Sequence, residues 1–295
     1  MSLSYRLKSL REMTGHPLNQ GKPWQTVARY LKWNIGRRLI DVDYVMPMAE
    51  GTEIILSNAE NYATLSYTGQ MWDFPEMMFL VHFLRADDLF VDIGANVGAY
   101  SVLAGAVGGA RVIAVEPVPQ TYAKLQRNLR LNGIGAQAEL LNIGLADKAG
   151  TLHFTADRGG LNHVVDSGGI AVPVRTLDDI LAGRSASMIK LDVEGFEVEV
   201  LRGGSTCLAT PDLRAIVVEL NGSGERYGHP DAEVDAILVE AGFAPHHYDA
   251  VTRRLTRAKG FNTEGLNTLY CRPDDQVVAR RVAEAAKVRV RDRAF

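Results

Sequence analysis

The sequence predicts an α/β fold, a doubly wound and mostly parallel sheet over residues 87–273. It is preceded by an N-terminal α+β extension (1–86) and followed by a peripheral helix (274–295). Three observations carry this prediction. From Asp88 onward, short apolar runs alternate with amphipathic stretches, the pattern of βαβ units whose strands are buried on both faces. The amphipathic stretches stop at glycines, Gln120 to Asn132 at Gly133 and Phe196 to Arg202 at Gly203-Gly204. Acids stand at the ends of successive apolar runs, at Asp92, Glu116, Asp192 and Glu219. In an open parallel sheet those ends share the ligand-binding edge.

Taken in order, residues 1–40 are basic, with Arg6, Lys8, Arg11, Lys22, Arg29, Lys32, Arg37 and Arg38 against a single acid, Glu12. Trp24, Tyr30 and Trp33 are interleaved among them. One reading is an arm that meets an anionic partner, a peripheral membrane contact included; the plainer one is a solvated helical face touching the more acidic body. Short β-like runs follow at Asp41 to Pro47, Glu53 to Leu56 and Ala63 to Tyr67, separated by Glu50-Gly51 and Ser57-Asn58. Pro75 to Leu84 reads as a buried helix, apolar nearly all round with proline in its first turn.

The parallel strands are expected at Leu89 to Asp92, Val112 to Glu116, Glu139 to Ile143, Met188 to Asp192 and Ala215 to Leu220. Thr176-Leu177-Asp178-Asp179 reads as a capping box opening a helix to Leu181. Val234, Ile237, Leu238 and Ala241 form a helical stripe closed by Gly242. Phe243 to Tyr248 and Thr268 to Arg272 are expected as a terminal antiparallel pair.

With 46% hydrophobic and 23% charged residues and a net charge of −3, the composition is that of a globular chain and excludes collagen-like, disulfide-scaffold and wholly disordered classes. Cys207 and Cys271 have no metal-ligand spacing, which points to a reducing compartment, and no export signal is read at the start. The expected location is cytoplasmic. Ile93 to Ala110 lacks charge but holds Gly94, Gly98, Gly105, Gly108 and Gly109 and is not read as a transmembrane segment.

The chemistry centres on Val91-Asp92-Ile93-Gly94-Ala95-Asn96-Val97-Gly98, an acid at a strand end followed by a glycine turn into a helix. Glycine lets the backbone pass close to a bound nucleotide, and a helix start offers free N–H groups. G-x-G-x-x-G is absent, and an acid before the first glycine repels a pyrophosphate but suits a ligand with an ammonium group. Glu116 ends the next strand, placed to accept both hydroxyls of a ribose. Together these residues describe an S-adenosylmethionine site better than an NAD site. A nucleotide-dependent oxidoreductase and a non-catalytic scaffold are the competing readings.

These segments, with Val115-Glu116-Pro117, Asn142 to Gly150, Val174 to Ile180, Ile189 to Glu197 leading into Leu201-Arg202-Gly203-Gly204, and Val218 to Asn221, resemble the FkbM family of S-adenosylmethionine-dependent methyltransferases. The resemblance covers roughly Pro75 to Pro273. It implies a Rossmann-like class I methyltransferase sheet with a reversed final strand, and O-methylation of a hydroxyl on a sugar, glycan or natural product. Cofactor contacts are then expected from Asp92, Gly94, Ala95, Asn96, Gly98, Glu116 and Asp192, with Asn142 near the adenine.

Asp192, Glu194, Glu219 and Asn221 make an oxygen-rich rim that can take a proton from a hydroxyl, hold sugar hydroxyls or bind Mg²⁺; the sequence leaves the metal question open. His163 and His229 are further base candidates in glycine-rich loops, where simple solvation is the plainer reading. The acceptor is expected to be a small molecule or glycan rather than nucleic acid. The N-terminal segment is expected to shape acceptor choice or to form a homodimer interface.

Overall fold

The computed structural model describes residues 13–40, 42–57, 63–156, 161–273 and 275–295. Arg6, Lys8, Arg11 and Glu12 of the basic arm, Asp41, Asn58, Arg158-Gly159-Gly160 and Asp274 lie outside the described residues.

Eight strands build the central sheet: β1 (Leu89–Ile93), β2 (Arg111–Val115), β3 (Ala138–Leu141), β4 (Met188–Leu191), β5 (Ala215–Glu219), β6 (Ala244–Asp249), β7 (Arg254–Arg257) and β8 (Asn267–Cys271). Their order is β7-β6-β8-β5-β4-β1-β2-β3. Strands β3, β2, β1, β4 and β5 run parallel, and β8 lies antiparallel between β5 and β6. That antiparallel strand is the reversed final strand expected from the resemblance. The sheet reverses its winding between β1 and β4, the switch point at which open α/β sheets bind ligands.

Alternation along each strand sends side chains to two cores. Val91, Ile93, Ile113, Val115, Ile189, Leu191, Ile216 and Val218 pack with Leu177, Leu201 and Leu238 on one face. Phe90, Val112, Ala114, Met188, Ala215 and Val217 pack with the N-terminal elements on the other. Asp92 and Lys190 are directly opposed across the β1–β4 pair, in register with this second face.

After a 3-10 turn at Pro17–Asn19, the extension carries the α-helices α1 (Pro23–Leu39), α2 (Ala63–Gly69) and α3 (Phe74–Phe83). In α3, Phe74 and Met77 through Phe83 are all buried, as its apolar circumference predicts. Between α1 and α2 lie two of the expected β-like runs, which pair antiparallel as a hairpin, Tyr44–Pro47 with Glu53–Leu56. Its outer edge is satisfied by the helix α5 (Pro119–Leu131) and the residue following it. Asn128 exchanges hydrogen bonds with the Ile55 backbone, and Asn132 with that of Glu53, so two side-chain amides one turn apart act as a partner strand. Preceding it, α4 (Ala99–Val102) continues into a π-helical turn at Leu103–Val107.

Three expectations are corrected. Ala63 to Tyr67 is helix, not strand. Its Thr and Tyr content favours extended backbone, but the segment packs on α1, where Trp33 stacks on Tyr67 at 4.9 Å and donates to Thr64 at 3.0 Å. The C-terminal segment is helical only over Gln276–Glu284. Arg289–Val290 and Arg293–Ala294 then form a small hairpin, because Val288 and Val290 alternate with arginines at the period of a strand. Phe295 is buried against Phe74 at 5.0 Å, so this end is no peripheral appendage. Finally, the glycine-rich loop expected to hold His163 contains, among its described residues, the short strand Val164–Val165, which joins Gly144–Leu145, Ile170–Arg175 and Gly150–Phe154 in a second, four-stranded sheet.

Candidate functional site

Beyond the last paired residues of the parallel strands, one row of the sheet edge carries Glu116, Gly94, Asp192, Glu219 and Asn267; the Glu219–Asn267 pairing belongs to the ladder itself. The turn after β1 is folded by its own amides. Gly94 N–H and Ala95 N–H donate to the Val115 carbonyl at 3.0 and 2.9 Å. Gly94 has φ +75°, and a Cβ there would lie 1.7 Å from the Asp192 carbonyl oxygen. The glycine is thus required by the neighbouring strand end, not only by a ligand. Asn96, also left-handed at φ 51°, donates its N–H to Glu116 Oε2 at 3.0 Å, and Val118 N–H donates to Oε1 at 2.9 Å.

The carboxyls of Asp92 and Glu116 are both buried. Desolvation pushes Glu116 up to about 7 against the pull of those two amides. It pushes Asp92 up to about 6, although Ser101 Oγ donates to it at 2.6 Å. A cation brought beside them would reverse both shifts.

Lys190 is 2% exposed, in the interior of β4. Its ammonium pairs with Asp192 at 3.1 Å and stands 5.5 Å from the centre of the Tyr100 ring. Burial alone would lower this lysine, but Asp192, Glu219 and Asp73 outweigh it and hold it above its ordinary value. Glu219 is pushed well above the ordinary carboxylate range by desolvation and then by the Asp192 carboxylate, which favours its protonated form. Glu194, at φ 54°, is raised by burial and Asp192, and Ser223 Oγ lies 3.4 Å from it. Carboxylate oxygens of Asp192, Glu194 and Glu219 all fall within 4.8 Å of one another.

The extension closes the site from above. Tyr100 donates to Asp73 at 3.0 Å, and desolvation raises Asp73, which also hydrogen bonds Asn267. Asn267 Oδ1 is buried and has no hydrogen-bond partner among the described residues. The resulting cavity is about 310 Å³, within the range of small-molecule sites. The four-stranded sheet supplies another wall through Phe154 and Val164, with Leu161 and Asn162 from the connection between those strands. It is pinned by the Tyr227 hydroxyl, which donates to the Val164 carbonyl at 2.8 Å.

The cavity gathers Asp92, Gly94, Ala95, Asn96, Glu116, Asp192, Glu194 and Glu219 from the residues expected at the site. Gly98, Asn142 and His163 are not among its lining residues. Gly98 (φ +90°) packs under Leu125, where a Cβ would lie 2.4 Å from a methyl carbon. The Asn142 amide donates to the Glu116 and Pro117 carbonyls and so braces the turn behind the site. His163 turns its Nδ1 to the Leu161 carbonyl, and His229 is held between Glu199 and Glu233 at 2.8 Å each. Sequence reasoning missed Lys190, Asp73, Tyr100 and Asn267. Only Lys190 had a signal, a cation inside an apolar run that must find buried partners.

A sequence model described as the methyltransferase FkbM domain matches residues 92–245, just over half of the chain. The chain belongs to the FkbM methyltransferase family. Among curated relatives, methyltransferase sdnD of Sordaria araneosa is 28% identical over 220 residues, 58% of this chain and 83% of that protein. Hexuronic acid methyltransferase AglP of Haloferax volcanii is 27% identical over 162 residues, 52% of this chain and 63% of that protein. Methyltransferase 1 of Beauveria bassiana is 28% identical over 145 residues, 40% of this chain and 58% of that protein. Among solved structures, TYW2 of M. jannaschii in complex with AdoMet overlays with a TM-score of 0.40 at 14% identity, over 79% of this chain and 88% of that one. In this FkbM chain the matched stretch begins at Asp92 and ends in β6, so the acidic rim lies within the family domain. Asp73 of the extension and Asn267 of β8 lie outside it.

Proposed function

We propose that this FkbM-family chain is an S-adenosylmethionine-dependent O-methyltransferase acting on a hydroxyl of a sugar, glycan or natural product. The observation that carries the reading is a single cavity joining the Asp92–Asn96 turn and Glu116 to the Lys190, Asp192 and Glu219 cluster. The donor set fits the cofactor. Buried carboxyls at Asp92 and Glu116 match an ammonium and ribose hydroxyls, and an acid-lined wall suits a sulfonium. The same acids disfavour a dinucleotide pyrophosphate and, with it, the oxidoreductase alternative. When bound, S-adenosylmethionine supplies the methyl group to be transferred.

The chain's own residues then position the acceptor and manage its proton. Asp192, fixed by Lys190, is placed to accept the proton of an acceptor hydroxyl, and protonated Glu219 donates a hydrogen bond beside it. Asn267 Oδ1 offers an acceptor atom for a second hydroxyl. The hexuronic acid acceptor named for the Haloferax volcanii relative supports a polyhydroxylated substrate. The oxygens of Asp192, Glu194 and Glu219 also suit Mg²⁺, which takes carboxylate oxygens and keeps waters; bound there, it would displace the proton of Glu219.

No helix among the described residues is long and apolar enough to cross a membrane. Free, buried Cys207 and Cys271 support a reducing, cytoplasmic setting. The deciding experiment is transfer of labelled methyl from S-adenosylmethionine to a panel of sugars, uronic acids, nucleotide sugars, lipid-linked glycans and polyketides. Label on a hydroxyl oxygen supports the reading. Binding of cofactor with no labelled product across the panel would favour a non-catalytic binding protein.

A further inference from the structure

Helix α1 has two unlike faces. Thr26 and Trp33 are turned inward and buried. Trp24, Leu31, Ile35 and Leu39 follow one another at helical spacing on the opposite side and are 84%, 53%, 60% and 77% exposed. The exposed apolar residues continue past the helix at Val42 and Val45. A stripe of this kind on a monomer marks an interaction surface.

Charge identifies the partner. Residues 13–40 contain no acid, and α1 carries Arg29, Lys32, Arg37 and Arg38. Arg29 is engaged by Asn19 and Arg37 by Thr64, whereas Lys32 and Arg38 are exposed beside the apolar stripe. The preceding sequence adds Arg6, Lys8 and Arg11. An isologous contact with a second copy would press two such cationic helices together, which like-charge repulsion opposes. A surface both apolar and anionic satisfies the whole face: tryptophan, leucine and isoleucine enter the headgroup boundary while Lys32 and Arg38 meet lipid phosphates.

The placement of α1 connects this face to the site. Trp33 of α1 is stacked on Tyr67 and bonded to Thr64 of α2, and Leu65 of α2 lines the cavity. Leu65, Leu161 and Leu266, all on the cavity lining, are exposed. The mouth is therefore rimmed by leucine above an acidic floor.

We infer that α1 seats this protein on the surface of an anionic lipid bilayer, with the cavity one helix away from the contact. The inference holds or fails independently of methyl transfer. It is tested by sedimenting the full chain with vesicles of phosphatidylcholine alone or mixed with phosphatidylglycerol. The chain is expected to partition at least about tenfold more strongly onto the anionic vesicles, and to be released as salt is raised. A Leu31→Glu, Ile35→Glu variant and a Lys32→Glu, Arg38→Glu variant should each lose about tenfold or more of that partitioning. Both should keep the wild-type circular dichroism, melting temperature and S-adenosylhomocysteine affinity, because the altered side chains are exposed. Equal partitioning of wild type and the folded variants would overturn the inference. So would wild-type dimers that Leu31→Glu, Ile35→Glu dissociates without any vesicle binding by the wild type.

Discussion

Gly94 and Asp192 meet backbone to backbone. A methyl group on the first would stand 1.7 Å from the carbonyl oxygen of the second, at a φ of +75° that side chains rarely adopt. The turn after β1 and the end of β4 are thereby locked as one unit, and the spacing of Asp92, Glu116 and Asp192 follows from it. Gly94→Ala is expected to cost roughly 2–4 kcal/mol of stability, from strain and displaced backbone. S-adenosylhomocysteine affinity should fall with it. Chemical denaturation and calorimetry of the purified variant check both; a variant as stable as wild type with unchanged affinity would contradict the close approach.

Lys190 is expected to be the keystone of the acidic rim. Lys190→Met leaves Asp192 without its 3.1 Å partner beside Glu219 and Asp73, and should cost about 1–3 kcal/mol, less than the loss from a fully buried pair because the Asp192 carboxylate is 34% exposed and solvent screens it. Adding Asp192→Asn should recover part of that cost. A double-mutant cycle measures the coupling, expected to be about 1 kcal/mol or more; strict additivity would show that the pair does not act as a unit.

The parallel strands could be read from sequence because burial on both faces leaves unbroken apolar runs, such as Val112 to Val115 and Ala215 to Val218. The acids at their ends could be read because sheet order brings Glu116, Asp192 and Glu219 to one edge. What escaped lacks a local signal. Val164–Val165 and Gly144–Leu145 are too short to show a period, and Asp73 and Asn267 reach the cavity only through tertiary packing. Ala63–Gly69 has strand-like composition and is helical because α1 offers it a surface. The paired amides of Asn128 and Asn132 look like ordinary helix surface until a hairpin edge lies against them.

Stability should fall as pH rises through the carboxyl range. Desolvation raises Asp92 from 3.8 to about 6, and Glu116 and Glu197 from 4.5 to about 7. Groups raised in the folded state contribute their full stability below about pH 4 and lose it as the pH passes the folded values of 6 to 7. The loss is on the order of 3 kcal/mol per carboxyl. The melting temperature of the ligand-free chain should therefore decline from pH 5 to pH 8, and Glu116→Gln should flatten the profile. S-adenosylmethionine, which carries the sulfonium charge, should stabilise more at pH 8 than at pH 6. A melting profile unchanged by Glu116→Gln would contradict the assignment.

Metal dependence separates the two chemistries open to Asp192, Glu194 and Glu219. If Mg²⁺ occupies the cluster, chelation should abolish methyl transfer and added Mg²⁺ restore it, with Glu194→Gln losing that response. Full activity after thorough chelation would leave the metal-free arrangement, with Asp192 as the base beside Glu219, as the working state.

The central claim is that Asp92 and Glu116 hold S-adenosylmethionine at the carboxyl edge of the sheet, and calorimetric titration with S-adenosylhomocysteine tests it most directly. The account predicts one site per chain, no heat with NADH, and a loss of about 1.5–3 kcal/mol of binding in each of Asp92→Ala and Glu116→Ala, with both variants folded. Absence of S-adenosylhomocysteine binding by the wild type, or unchanged affinity in both variants, would contradict it.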